Sequence, residues 1–137
     1  MTAHIHHIGI MTNNPRNMEA FYVEKLGFQA GATTRVPETL IEVVFGFSSP
    51  CSLTKLSRGR VIVEIISPEG IVLSGQEVSA SGYNHWGFAV EDREDFCRQL
   101  TSKGVEVISA AKNGRFVNFV KDPDGNLIEI YQFREEG

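Results

Sequence analysis

Two histidines and two glutamates stand where a folded chain has least use for charge. His7 lies in His-His-Ile-Gly-Ile-Met (6–11) and His85 in Asn-His-Trp-Gly-Phe-Ala-Val (84–90). Glu64 lies in Val-Ile-Val-Glu-Ile-Ile (61–66) and Glu129 in Asn-Leu-Ile-Glu-Ile-Tyr (126–131). A carboxylate held in apolar surroundings is costly unless a positive partner meets it. Arg60 and Arg115 are possible ion-pair partners, but isoleucines flank both glutamates. Two imidazoles and two carboxylates together point instead to one divalent metal and hence to an enzyme. The set lacks the thiolates of a closed structural zinc site and suits a borderline ion such as Ni, Co, Zn, Mn or Fe(II). Two glutamates would neutralise the dication. The remaining positions would be open to water or to adjacent oxygens of a substrate.

The elements that must carry these residues read as one unit written twice. A strand over about 5–12 gives way at Asn13-Asn14-Pro15 to a helix with Met18, Phe21, Tyr22 and Leu26 at helical spacing, closed by Gly27. Strands are expected at about 28–36, 40–47 and 60–67. The second half runs from a strand at 84–91 into a helix near Asp92, with Phe96, Cys97 and Leu100 on one face and Gly104 at its end. Strands are expected near 105–109, 115–121 and 126–133. His7 to His85 and Gly9 to Gly87 are each 78 positions, and Gly27 to Gly104 is 77. Glu64 to Glu129 is 65, which puts extra length in the first half, near 48–59. Residues about 1–67 and 84–137 are thus two β-α-β-β-β modules within one domain, with 68–83 as linker. Side chains two apart on a strand share a face. His7 then sits with Gly9 and Met11, His85 with Gly87 and Ala89, Glu64 with Ile62 and Ile66, and Glu129 with Leu127 and Tyr131. The opposite faces, including Ile8, Ile10, Val63, Ile65, Phe88, Val90, Ile128 and Ile130, suit packing on helices. His4 and His6 have the opposite parity to His7 or lie at the fraying terminus and are expected in solvent; His6 in place of His7 is the alternative ligand, but its face carries Ile8 and Ile10.

A chain of 137 residues, 42% hydrophobic and 22% charged, has the composition of an ordinary soluble domain. No apolar run approaches the roughly 20 residues that span a bilayer, and no secretory signal opens the chain. Cys51 and Cys97 fit reduced thiols, and a cytoplasmic location is expected. A net charge of −4 without a basic stripe argues against nucleic acid as a partner.

These segments resemble the vicinal oxygen chelate superfamily, which includes glyoxalase I, methylmalonyl-CoA epimerase, extradiol dioxygenases and bleomycin resistance proteins. The resemblance rests on His7-Ile8-Gly9-Ile10, Phe21-Tyr22 with Leu26-Gly27-Phe28, and Val63-Glu64-Ile65. It rests further on His85-Trp86-Gly87-Phe88-Ala89-Val90 and Asp122-Pro123-Asp124-Gly125-Asn126-Leu127-Ile128-Glu129. It implies an α+β fold of two tandem modules forming a curved mixed sheet around a metal-binding cleft, with His7, Glu64, His85 and Glu129 as ligands. It also implies a homodimer and a small-molecule substrate. The chemistry it suggests is that of a lyase or isomerase working by proton abstraction next to a carbonyl, with Glu129 or Glu64 as acceptor. Glu42 would be a second acceptor by similarity to the epimerase. The stretch Ile65-Ile66-Ser67-Pro68-Glu69-Gly70 lacks the asparagine and aromatic residue of a glutathione site. An Fe(II) extradiol-type dioxygenase and a metal-free small-molecule-binding resistance protein are the alternatives. Asp122-Pro123-Asp124-Gly125 is expected to build the site without joining it. Arg35, Lys55, Arg58 and Arg115 are candidates to hold an anionic substrate group, and Phe45, Phe47, Trp86, Phe116, Phe119 and Tyr131 to line a pocket.

Overall fold

The computed structural model describes residues 1–74 and 82–133. The stretch 75–81 of the expected linker therefore lies outside the described residues. The chain divides into two compact units, Met1–Gln76 and Glu77–Gly137. The first contains β1 (Ile8–Met11), α1 (Pro15–Glu24), β2 (Gln29–Val36), α2 (Glu38–Phe45), β3 (Cys51–Arg58) and β4 (Val61–Pro68). The second contains β5 (His85–Val90), α3 (Arg93–Ser102), β6 (Ile108–Lys112), β7 (Arg115–Lys121) and β8 (Leu127–Gln132). The two sheets have the same topology, β1-β4-β3-β2 and β5-β8-β7-β6. In each, the first strand pairs parallel with the last, and the remaining pairs are antiparallel. This is the α+β tandem arrangement expected from the sequence.

In the first unit α1 starts at Pro15, whose missing N–H costs nothing at a helix start, and its neighbour Asn14 donates its backbone N–H to Thr12 Oγ1 at 2.9 Å. Met18, Phe21 and Tyr22 face inward from α1 and are buried with Leu26, Leu56, Val63 and Ile65. Each such large side chain contributes about 1.5–3 kcal/mol by leaving water. In the second unit α3 is capped by Asp92, whose carboxylate accepts from Asp95 N at 3.0 Å. Leu100, Phe88, Val90, Val120, Ile128 and Ile130 form that unit's core. On β4 and β8 the buried residues alternate with half-exposed ones, so each glutamate is on the face away from the helix.

Two expectations are corrected. The segment 40–47, expected as a strand, is the helix α2. Pro37 precedes its first turn, and Gly46, at φ 81°, closes it by donating to the carbonyls of Glu42 and Ile41. The segment 48–59, expected as the longer connection, contains strand β3, and the added length lies in 37–50 instead. The first strand is also shorter than expected, Ile8–Met11, so that His7 immediately precedes it.

Candidate functional site

Strand register places the four chemical residues. In the parallel ladder of the first unit Gly9 stands opposite Glu64, and in that of the second Gly87 stands opposite Glu129. The histidine lies two residues before the glycine in both cases, on the same face. The space beside each glycine is open: a Cβ built at Gly87 would meet nothing within 4 Å, and at Gly9 only Ile66 at 3.8 Å. His7 Nε2 lies 3.4 Å from Glu64 Oε1, and His85 Nε2 lies 3.8 Å from Glu129 Oε1. The carboxylates are similarly sheltered, 19% and 21% exposed, and the imidazoles are more open. Thus the structure joins His7 to Glu64 and His85 to Glu129. The alternative ion pairs with Arg60 and Arg115 are not formed among the described residues.

Both pairs have the spacing of two donors on one cation. Ligands bound at about 2.0–2.2 Å lie about 3–4 Å apart around a metal, and 3.4 and 3.8 Å fall in that interval. One imidazole and one carboxylate per pair fit a divalent ion by donor type. Among the described residues, no third His, Cys, Asp or Glu joins either pair within its own unit in a group able to hold a metal.

The far nitrogen of each ring is also engaged, and by the residue immediately before it. Asn84 Oδ1 lies 2.8 Å from His85 Nδ1, and His6 Nδ1 lies 3.0 Å from His7 Nδ1. His6 therefore does more than meet solvent. Sequence parity had turned it away from the site; the signal for its role was only its position directly before a candidate ligand, matched by Asn84.

The neighbours of the two glutamates differ. Lys55 on β3 is the cross-strand partner of Glu64, and Phe119 on β7 that of Glu129. Cross-strand partners share a face, so an ammonium flanks one carboxylate and a phenyl ring the other. The Phe119 ring also meets His85 edge-on at 5.2 Å. Tyr131 is on the face of Glu129 and 54% exposed. Of the other candidates, Arg58 donates from Nη1 to the Leu26 carbonyl at 2.5 Å and so satisfies the end of α1. Arg35 pairs with Glu69 at 3.3 Å. Glu42 lies exposed on α2.

Asp122–Gly125 forms the expected tight turn. Gly125 adopts φ 86° and donates its N–H to the Asp122 carbonyl at 2.9 Å. The Asp122 carboxylate accepts from Asp124 N, Asn126 N and Asn126 Nδ2, which delivers β8 and with it Glu129. The cysteines are free, with Cys51 buried and Cys97 half-buried. Burial pushes both thiols up from their ordinary value. The Glu69 carboxylate adds to the effect at Cys51, whereas Arg93 opposes it at Cys97. Neither has the lowered pKa of a nucleophile. Among the described residues, no helix is long and apolar enough to cross a membrane.

Similarity to known proteins extends along nearly the whole chain. A protein of uncharacterized function from Bacillus subtilis (strain 168), YwkD, is 29% identical over 131 residues, covering 93% of this chain and 95% of that one. Glyoxalase I of Saccharomyces cerevisiae is 23% identical over 149 residues, covering 97% of this chain. The match spans 46% of the yeast protein, so this chain corresponds to about half its length. The crystal structure of the glyoxalase family protein from Enterococcus faecalis superposes with a TM-score of 0.71 at 28% identity, covering 93% of this chain and 95% of that one. Residues 4–130 match a single family, and on that match the chain belongs to the Glyoxalase/Bleomycin resistance protein/Dioxygenase superfamily.

Proposed function

We propose that this protein is a divalent-metal-dependent lyase or isomerase that removes a proton next to a carbonyl of a small oxygen-rich substrate. His7, Glu64, His85 and Glu129 are its metal ligands in this reading, and the chain works as a cytoplasmic homodimer. One observation carries it: the same His–Glu pair, at the same offset from a glycine in a parallel ladder, occurs in both units. Two imidazoles and two carboxylates, placed alike in the two units, are a donor set suited to one divalent ion.

The bound ion would supply Lewis acidity, stabilising negative charge on oxygen as the neighbouring carbon loses its proton. The chain's own residues do the rest. The Nε2 atoms of His7 and His85 would hold the ion through their lone pairs. Oε1 of Glu64 and Glu129 supplies compensating charge, and one of these carboxylates, Glu129 or Glu64, accepts the proton. Glu42 is the second acceptor in the proposal. Phe119 and Tyr131 restrict water on the Glu129 side, and Lys55 offers a cation to an anionic group of the substrate on the Glu64 side.

The test is elemental analysis of tag-free protein purified without chelator, paired with proton NMR of deuterium uptake into a panel of α-carbonyl compounds. The expected result is about one metal per chain, lost in His85→Ala. Deuterium uptake should vanish in Glu129→Gln or Glu64→Gln, and in Glu42→Gln only if Glu42 carries the proton. Wild-type protein that holds no metal and takes up none of Ni, Co, Zn, Mn or Fe(II) would end this reading in favour of a metal-free binding protein. Air-sensitive activity with iron alone would replace it with an extradiol-type dioxygenase.

A further inference from the structure

A neutral imidazole can coordinate only through the nitrogen that carries no hydrogen, and in solution its two tautomers exchange freely. A ring that must present Nε2 therefore benefits from a partner that holds the hydrogen on Nδ1. Asn84 is placed to be that partner. Its Oδ1 lies 2.8 Å from His85 Nδ1, and an amide oxygen only accepts. With the amide oxygen facing the ring, this contact favours the hydrogen of the neutral imidazole on Nδ1 and the lone pair on Nε2, the atom on the Glu129 side. At 3.8 Å the Nε2–Glu129 separation is too long for the hydrogen bond that would favour the other tautomer.

We propose that Asn84 is a positioning residue for His85, selecting the Nδ1–H tautomer so that Nε2 is ready to ligate. His6 takes the same place before His7, with Nδ1 to Nδ1 at 3.0 Å and His7 Nε2 directed at Glu64. One difference separates the halves. A histidine can donate or accept, so the His6–His7 contact supports either tautomer of His7. The Asn84–His85 contact supports one. The second unit thus has a preset ligand, whereas the first unit's ligand is set when His6 holds its own hydrogen on Nε2. This inference rests on the metal-ligand reading above, but its structural half can be tested without metal.

The experiment is long-range proton–nitrogen NMR of the metal-free full chain on the alkaline side of the imidazole titration, with the His85 signals assigned by their loss in His85→Gln. Wild type should show His85 with a protonated Nδ1 and a bare Nε2. Asn84→Leu, similar in size but unable to accept, should mix the tautomers, and Asn84→Asp, which keeps an acceptor, should not. Cobalt or zinc affinity, measured by competition with a chelating dye, should fall roughly ten- to a hundredfold in Asn84→Leu, as for loss of a ligand-orienting hydrogen bond, and hold in Asn84→Asp. A protonated Nε2 in wild type, or an unchanged tautomer in Asn84→Leu, overturns the proposal. So does a tautomer change that leaves metal affinity untouched. If wild type has the expected tautomer and binds no metal, the ligand reading fails while tautomer selection by Asn84 stands on the nitrogen shifts.

Discussion

Replacing Asp122 by alanine should destabilise the second unit strongly, because one buried carboxylate closes the turn that aligns β8. Asp122 is 4% exposed. Its Oδ1 accepts from Asp124 N at 3.0 Å and Asn126 N at 2.9 Å, and its Oδ2 from Asn126 Nδ2 at 2.8 Å. Alanine strips two backbone donors of their acceptor, each worth about 1–3 kcal/mol when left unmet. Water reaches a turn more easily than a core, so the combined loss should be about 2–4 kcal/mol. For a domain of this size each kcal/mol moves Tm by about 3–4 °C, which places the drop at about 6–16 °C. Asp122→Asn keeps an oxygen for both backbone donors and loses the bond to the Asn126 amide, at a cost of about 1 kcal/mol. Urea denaturation of the three proteins, followed by circular dichroism, gives the differences directly. An Asp122→Ala loss below about 1 kcal/mol, or an asparagine variant as unstable as the alanine one, would show that the carboxylate does not hold this turn.

Two further outcomes follow from burial. Ile41 is the fully buried residue of α2, whose other apolar side chains Leu40, Val43, Val44 and Phe45 are exposed; Ile41→Ala should cost about 2–5 kcal/mol, measured by denaturant titration, and a value near zero would mean that α2 is not anchored through it. The thiols of Cys51 and Cys97 are raised by burial from the ordinary 9.0, so the folded chain retains protons that the unfolded chain releases. Their contribution to stability is therefore present below the unfolded value and is lost as pH rises through the folded one. Between pH 8 and pH 10 wild type should lose more stability than the Cys51→Ala/Cys97→Ala variant, and native protein at pH 8 should react with a thiol reagent far more slowly than urea-unfolded protein. Rapid labelling of both thiols in the native state would contradict this.

The strands that carry the candidate site were legible because their pattern is unambiguous. In Val63-Glu64-Ile65 and Ile128-Glu129-Ile130, one charge between two β-branched residues fixes the face of each side chain, and the buried residues are those expected. The helix starts at Pro15 and after Asp92 were legible for a local reason, since the capping chemistry is written in adjacent residues. The segment 37–58 was not. Leu40 to Phe45 is apolar apart from Glu42 and has three β-branched residues, Ile41, Val43 and Val44, which favours a strand by propensity; Pro37, Gly46 and the burial of Ile41 decide for a helix. Strand β3 was hidden because the residue that faces the helix between Cys51 and Leu56 is polar. Thr54 is buried, and its hydroxyl is satisfied by Thr33 Oγ1 at 2.8 Å across the β2–β3 pair, a partner invisible from the local sequence. The contacts of His6 and Asn84 were missed for the same kind of reason: strand parity says which way a side chain points but not what its neighbour's ring nitrogen requires.

The register of the first ladder also explains why His7, and not His6, meets Glu64. Gly9 opposite Glu64 puts odd-numbered positions of this segment on the carboxylate's face. A slip of one residue would bring His6 to Glu64, but it would also turn Ile8 and Ile10 out to the open face and bring Gly9 and Met11 against the helix. Apolar burial on the far face thus selects which histidine meets the carboxylate on the near one. The parallel pairing of β1 with β4 does not depend on the length of chain between β2 and β3, which is why residues 37–50 can hold a helix in the first unit while 113–114 suffice in the second. Both ladders keep the glycine opposite the glutamate all the same. What the units do not share is the residue beside that glutamate, Lys55 in one and Phe119 in the other. The surroundings of two like His–Glu pairs therefore differ in charge, with an ammonium beside Glu64 and a phenyl ring beside Glu129.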